Sequence, residues 1–90
     1  MNKAEFISAI AEAAGSSKSD ATASVEAMIN VVTNTLKSGD QVTLVGFGTF
    51  LAKKREARQG RNPRTGETIQ IKASTVPAFK AGKAFKDALN

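Results

Sequence analysis

The period of the apolar residues switches at Gly39-Asp40, and the switch divides the chain into a helical half and a β-rich half. Before it, Phe6, Ile7, Ile10, Ala11 and Ala14 share one helical face, and Ala21, Val25, Met28, Ile29, Val32 and Leu36 form a second, longer stripe. After it come the β-formers Val42, Leu44 and Val45, and then Ile69 and Ile71 alternating with Gln70 and Lys72. Helices followed by a run of strands predict an α+β fold, in which an antiparallel sheet carries its helices on one side.

Punctuating residues sharpen this reading. Asn2 followed by Glu5 starts a helix over 3–14, with Asn2 accepting from an early backbone N–H, and Gly15 ends it. Ser17 and Asp20 repeat the pattern for a long helix near 18–38, closed by Lys37 and Gly39. Gly46-Phe47-Gly48-Thr49-Phe50 lacks the lysine and helix start of a nucleotide-binding loop and is read as a turn with two aromatic anchors. The stretch 51–76 reads as one extended hairpin whose tip is Arg61-Asn62-Pro63-Arg64-Thr65-Gly66. Pro77 is expected to stop the return strand, and 79–89 to form a short terminal helix, giving the order α-α-β-β-β-α.

Ninety residues make one domain, with a body at about 1–50 and 77–90 and a β-arm at about 51–76. Cysteine and histidine are both absent, which removes thiolate chemistry, the commonest general base and the commonest zinc ligand. The eight acidic residues are scattered without a close pair, so neither a catalytic dyad nor an oxygen-ligand metal loop is expected. No enzyme activity, metal, cofactor or small-molecule substrate is expected. The start MNKAEF has no apolar segment of the secretory kind, no run is long enough to span a bilayer, and no amphipathic helix has a basic face. A cytoplasmic location without membrane association is the expectation.

Charge is distributed unevenly. Residues 1–52 carry three Lys/Arg against five Asp/Glu, whereas 53–90 carry ten against three. Within 53–72 alone, Lys53, Lys54, Arg55, Arg58, Arg61, Arg64 and Lys72 face only two acids, Glu56 and Glu67. A two-stranded ribbon is marginal in water even without such repulsion, so a polyanion partner is expected, and a DNA groove accommodates a β-ribbon. The competing reading is a charged edge that serves only solubility. Pro63 is rigid, apolar and lacks a donor; a hairpin proline alone reads as a turn residue, but flanked by Arg61, Asn62 and Arg64 on a basic arm it reads better as a wedge that unstacks a base step. If the ribbon projects, too little chain remains to cover the second helical stripe and five phenylalanines, so an obligate homodimer is expected.

The chain resembles the bacterial histone-like DNA-binding proteins, the HU/IHF family, and the HU branch most closely. The likeness runs through Asn2-Lys3, Gly46-Phe47-Gly48-Thr49-Phe50, Arg55, Ala57-Arg58, Gly60-Arg61-Asn62-Pro63 and Thr65-Gly66. It continues through Val76-Pro77-Ala78-Phe79, Ala81-Gly82-Lys83-Ala84 and Lys86-Asp87-Ala88, while Phe85 stands where leucine is usual. The resemblance implies an intertwined homodimer with a helical base, a three-stranded antiparallel sheet and two β-arms that embrace DNA through the minor groove in the bacterial nucleoid. It places the wedge at Pro63, arm contacts at Arg55, Arg58, Arg61 and Asn62, and phosphate contacts at Lys3, Lys83 and Lys86; Lys53 and Arg64, read from the charge of the arm itself, complete the expected DNA-binding set. It makes Phe47, Phe50 and Phe79 the dimer core.

Arms that read a degenerate groove imply sequence-tolerant bending and compaction of double-stranded DNA, with a preference for nicked or distorted duplex. A site-specific bender, as in the IHF branch, is the rival. Helix two carries only Lys18 and Lys37, near its ends, unlike a recognition helix. Tyrosine and tryptophan are absent and the phenylalanines are committed to the core, which leaves structured RNA as a secondary partner.

Overall fold

The computed structural model describes residues 1–90 and confirms the α+β class. Eight elements follow in order: α1 (Lys3–Ala14), α2 (Lys18–Lys37), β1 (Val42–Leu44), β2 (Gly48–Arg55), β3 (Arg58–Arg61), β4 (Thr68–Ile71), β5 (Ser74–Ala81) and α3 (Lys83–Ala88). The chain forms two compact units, Met1–Asn34 and Thr35–Asn90.

In the first unit, α1 begins where the sequence places it. Asn2 is extended, and its Oδ1 accepts from the Glu5 N–H at 2.9 Å, satisfying a donor that the helix start would otherwise orphan. At α2 the Ser17 Oγ accepts from the Asp20 N–H at 3.0 Å in the same way. Ile7 and Ala11 of α1 bury against Ala21 and Val25 of α2, with Ile10 packed on the edge of this cluster. Two of these four buried residues are alanines, so the core is thin. Phe6, Met28 and Ile29 of the same stripes stay about half exposed, at 48, 47 and 47%.

In the second unit, β1, β2 and β5 form an antiparallel sheet in that order, and β3 and β4 form a separate two-stranded ribbon. The turn 45–47 joins β1 to β2 and is closed by the Phe47 N–H donating to the Leu44 carbonyl at 2.9 Å. Gly48, which follows it, is required by close approach: a Cβ there would stand 2.5 Å from both the Lys80 carbonyl oxygen and the Phe79 ring.

Three expectations need correction. Pro77 does not stop the return strand, because β5 runs through it to Ala81 with Pro77 opposite Ala52. The physical reason is position: β5 is the edge of its sheet, where a residue without an N–H is tolerated. The terminal helix therefore starts later, at Lys83 behind Gly82, and Phe79 is a strand residue paired with Phe50. The hairpin is also two ladders rather than one, since Glu56-Ala57 and Lys72-Ala73 lie outside the strands.

Candidate nucleic-acid interface

The interruption in the hairpin inserts no residue. Arg55 pairs with Ser74 and Arg58 with Ile71, three positions further along each strand, so two residues leave the ladder on each side and the register is unchanged. A bulge would place two residues against one and bend the ribbon. Here the strands stay in step from Gly48↔Ala81 to Arg61↔Thr68.

The register fixes where the cations stand. Lys53 and Arg55 alternate along the outer end of β2, opposite Val76 and Ser74. Arg58 and Arg61 occupy the two ends of β3, opposite Ile71 and Thr68. All four are exposed, and none is in an ion pair.

The tip is the six-residue loop 62–67, held by its own polar groups. The Asn62 N–H donates to the Glu67 carbonyl at 2.7 Å, and the Gly66 N–H donates to the Asn62 carbonyl at 2.8 Å. Asn62 Oδ1 accepts from the Arg64 N–H at 2.9 Å, an Asx turn built around Pro63. Gly66 closes the loop at φ +74°, in the left-handed region that glycine enters without steric cost. Pro63 and Arg64 are both exposed, and Asn62 is half-buried. The family resemblance implies a contact role for Asn62; the geometry gives its side-chain Oδ1 a further task in shaping the tip.

Lys83 and Lys86 lie one turn apart on α3, between which Phe85 anchors the helix to the sheet. Its ring centroid is 4.7 Å from that of Phe47, which lies 5.1 Å from Phe79, which in turn lies 4.8 Å from Phe50. The three predicted aromatic residues thus come together, and Phe85 makes a fourth. Its helical spacing to Leu89 was the available signal, but that spacing pointed to a helix face rather than to this cluster. Phe47 and Phe79 remain 39% exposed. Lys3 belongs to the other unit, at the first position of α1, where its Nζ is paired with Glu26. No sequence spacing announces that pair.

The family described as bacterial DNA-binding protein matches residues 1–90, the whole chain. The chain is 56% identical over 89 residues to DNA-binding protein HU of Geobacillus stearothermophilus, covering 99% of each. It is 57% identical over 90 residues to DNA-binding protein HU-beta of Pseudomonas aeruginosa, covering all of both chains. Among solved structures, that of Anabaena HU crystallised with DNA superposes with a TM-score of 0.88 at 47% identity, covering 99% of this chain and 97% of that one. The chain belongs to this bacterial DNA-binding protein family, on its HU branch. It is not an enzyme.

Proposed function

We propose that the chain is an architectural protein of the bacterial nucleoid that binds double-stranded DNA with little regard to sequence, bending and compacting it as a homodimer. The observation that carries this reading is the ribbon: a basic β-arm in one continuous register, ending in an exposed proline clasped by an Asx turn. Lys53, Arg55, Arg58, Arg61 and Arg64 neutralise phosphates along the arm, where released counterions supply sequence-independent affinity. Pro63 enters a base step as a wedge, and the few kcal/mol lost in unstacking are offset by the extra surface the bent duplex wraps. Lys3 on α1 and Lys83 and Lys86 on α3 supply further phosphate contacts, within a single DNA-binding domain of 90 residues.

Dimerisation is supported by what one chain leaves uncovered. Each unit leaves apolar surface that a second copy would bury: Phe6, Met28 and Ile29 are half exposed in the first, and two of the four clustered phenylalanines are 39% exposed in the second. Binding of the HU-named relatives and the Anabaena complex to DNA supports the same partner here.

The test is equilibrium binding to two unrelated duplexes, each with and without a central nick, over a salt series and beside Pro63→Ala. Sequence-indifferent binding that weakens with salt, favours the nick and loses that preference in the variant is the expected result. Failure to bind any duplex at low salt would sink the reading, and strong preference for one sequence would replace it with site-specific bending.

A further inference from the structure

The two faces of the arm differ in chemistry. Pairing of Arg58 with Ile71 and of Gly60 with Ile69 puts these four residues on one face, and leaves Gln59, Arg61, Thr68 and Gln70 on the other. Gly60 gives the first face its shape, since a Cβ there would stand 3.0 Å from the Ile71 Cδ1, and without it Ile71 lies across the ribbon. Neither isoleucine is covered: Ile69 is 49% and Ile71 39% exposed. Around Ile71 a shallow hollow is walled by Arg55, Arg58 and Lys72 and by one carboxylate, Glu56, with Ser74 and Val76 beside it.

Exposed isoleucines on a solvated hairpin are an aggregation hazard, and the polar residues of the other face show that the strands do not need them there. An apolar floor within a rim of net positive charge, three cations against the single acid Glu56, has a specific complement: apolar sugar carbons flanked by phosphates. Deoxyribose presents such a surface along the minor groove, whereas ribose adds a 2′-hydroxyl there at every nucleotide. A hydroxyl pressed against a side chain that cannot hydrogen-bond loses its water without replacement.

We propose that Ile69 and Ile71 seat the arm on deoxyribose and so select DNA over RNA duplexes. This inference rests on the arm contacting nucleic acid as proposed above, and it assigns the isoleucines a discriminating role that the arginines, which meet phosphates common to both polymers, cannot supply.

The experiment measures Kd for DNA and RNA duplexes of the same sequence, with wild-type protein and three variants: Ile69→Thr/Ile71→Thr, Ile69→Val/Ile71→Val and Arg61→Ala. Threonine is β-branched and keeps strand propensity while offering a hydroxyl partner. The wild-type preference for DNA should shrink about tenfold in the threonine variant and persist in the valine variant. That is less than the roughly hundredfold by which an enclosed apolar pocket rejects an added hydroxyl, because the isoleucines are open on one side. Differences in helix shape between the two polymers act on every variant alike, so the change in the ratio isolates the side chains. An unchanged ratio in the threonine variant, even with both affinities lowered, overturns the inference alone. Arg61→Ala should weaken both duplexes equally; if it weakens neither, or if wild-type protein binds neither duplex, the arm reading itself fails and takes the inference with it.

Discussion

Lys3 Nζ and the Glu26 carboxylate, twenty-three residues apart in sequence, make the single ion pair of the structure. Both side chains are about half exposed, at 55 and 47%, so water and salt screen the pair and its contribution to stability is about 0 to 1 kcal/mol. Its consequence for binding is larger. A lysine engaged by a carboxylate must give that partner up before it can meet a phosphate. Glu26→Gln should therefore leave the melting temperature nearly unchanged while tightening DNA binding at low salt. It should also steepen the dependence of log Kd on log salt by about one per released lysine. Parallel salt titrations of the two proteins decide it, and identical slopes would mean that Lys3 makes no phosphate contact.

Asn62 and Pro63 are neighbours at the tip with separable tasks. Asn62→Ala removes the oxygen that accepts from the Arg64 N–H and loosens the loop by about 1 kcal/mol, without removing charge or wedge. The expected result is a smaller DNA bend, read by energy transfer between duplex ends, with an unchanged salt slope. Arg61→Ala should do the opposite, lowering the slope by about one per arm. A variant of Asn62 that lowers the slope as Arg61→Ala does would place its role in phosphate contact instead.

Local physics made α1 and α2 legible, because caps and apolar spacing lie within a few residues: Asn2 with Glu5, Ser17 with Asp20. The basic tip loop was legible for the same reason. What failed were inferences that needed a neighbour. Pro77 reads as a strand stop only while the strand's place in its sheet is unknown; at an edge, the missing N–H interrupts no interior ladder. Phe79 reads as a helix residue only because Pro77 reads as the end of the strand before it, whereas Phe79 and Phe85 belong to one cluster drawn from the turn, two strands and α3. The gap at 56–57 and 72–73 has no glycine or proline to mark it. The partnership of Lys3 with Glu26 depends on the packing of two helices, which no spacing rule encodes.

The uncovered aromatic cluster makes stability a function of concentration. If a second copy covers Phe47 and Phe79, the melting temperature should rise with protein concentration, and sedimentation should give a dimer mass. Phe79→Ala removes the ring that contacts Phe47, Phe50 and Phe85. A loss of about 3 to 5 kcal/mol is expected, a large share of the total stability of a domain this small. A concentration-independent melting temperature with a monomer mass would overturn the dimer.

Gly46 and Gly48 flank Phe47 and look alike in sequence, but the structure needs each for a different reason. Gly46 sits at φ +84° with open space where a Cβ would be, so its requirement is conformational. Gly48 lacks that backbone constraint, but a Cβ there meets the Lys80 carbonyl and the Phe79 ring at 2.5 Å, so its requirement is steric. Alanine should therefore destabilise at both sites: by about 1 to 2 kcal/mol at 46, from left-handed strain, and by about 3 kcal/mol at 48, where strand backbone must move. Asparagine separates the causes. It tolerates the left-handed region and should recover part of the loss at position 46, whereas at 48 its larger side chain should deepen it. Thermal melts of the four variants at one concentration provide the comparison. Because β2 and β5 meet at Gly48 beneath the aromatic cluster, the position-48 variants should also show the weaker self-association, a difference that a purely local turn defect at 46 would not produce.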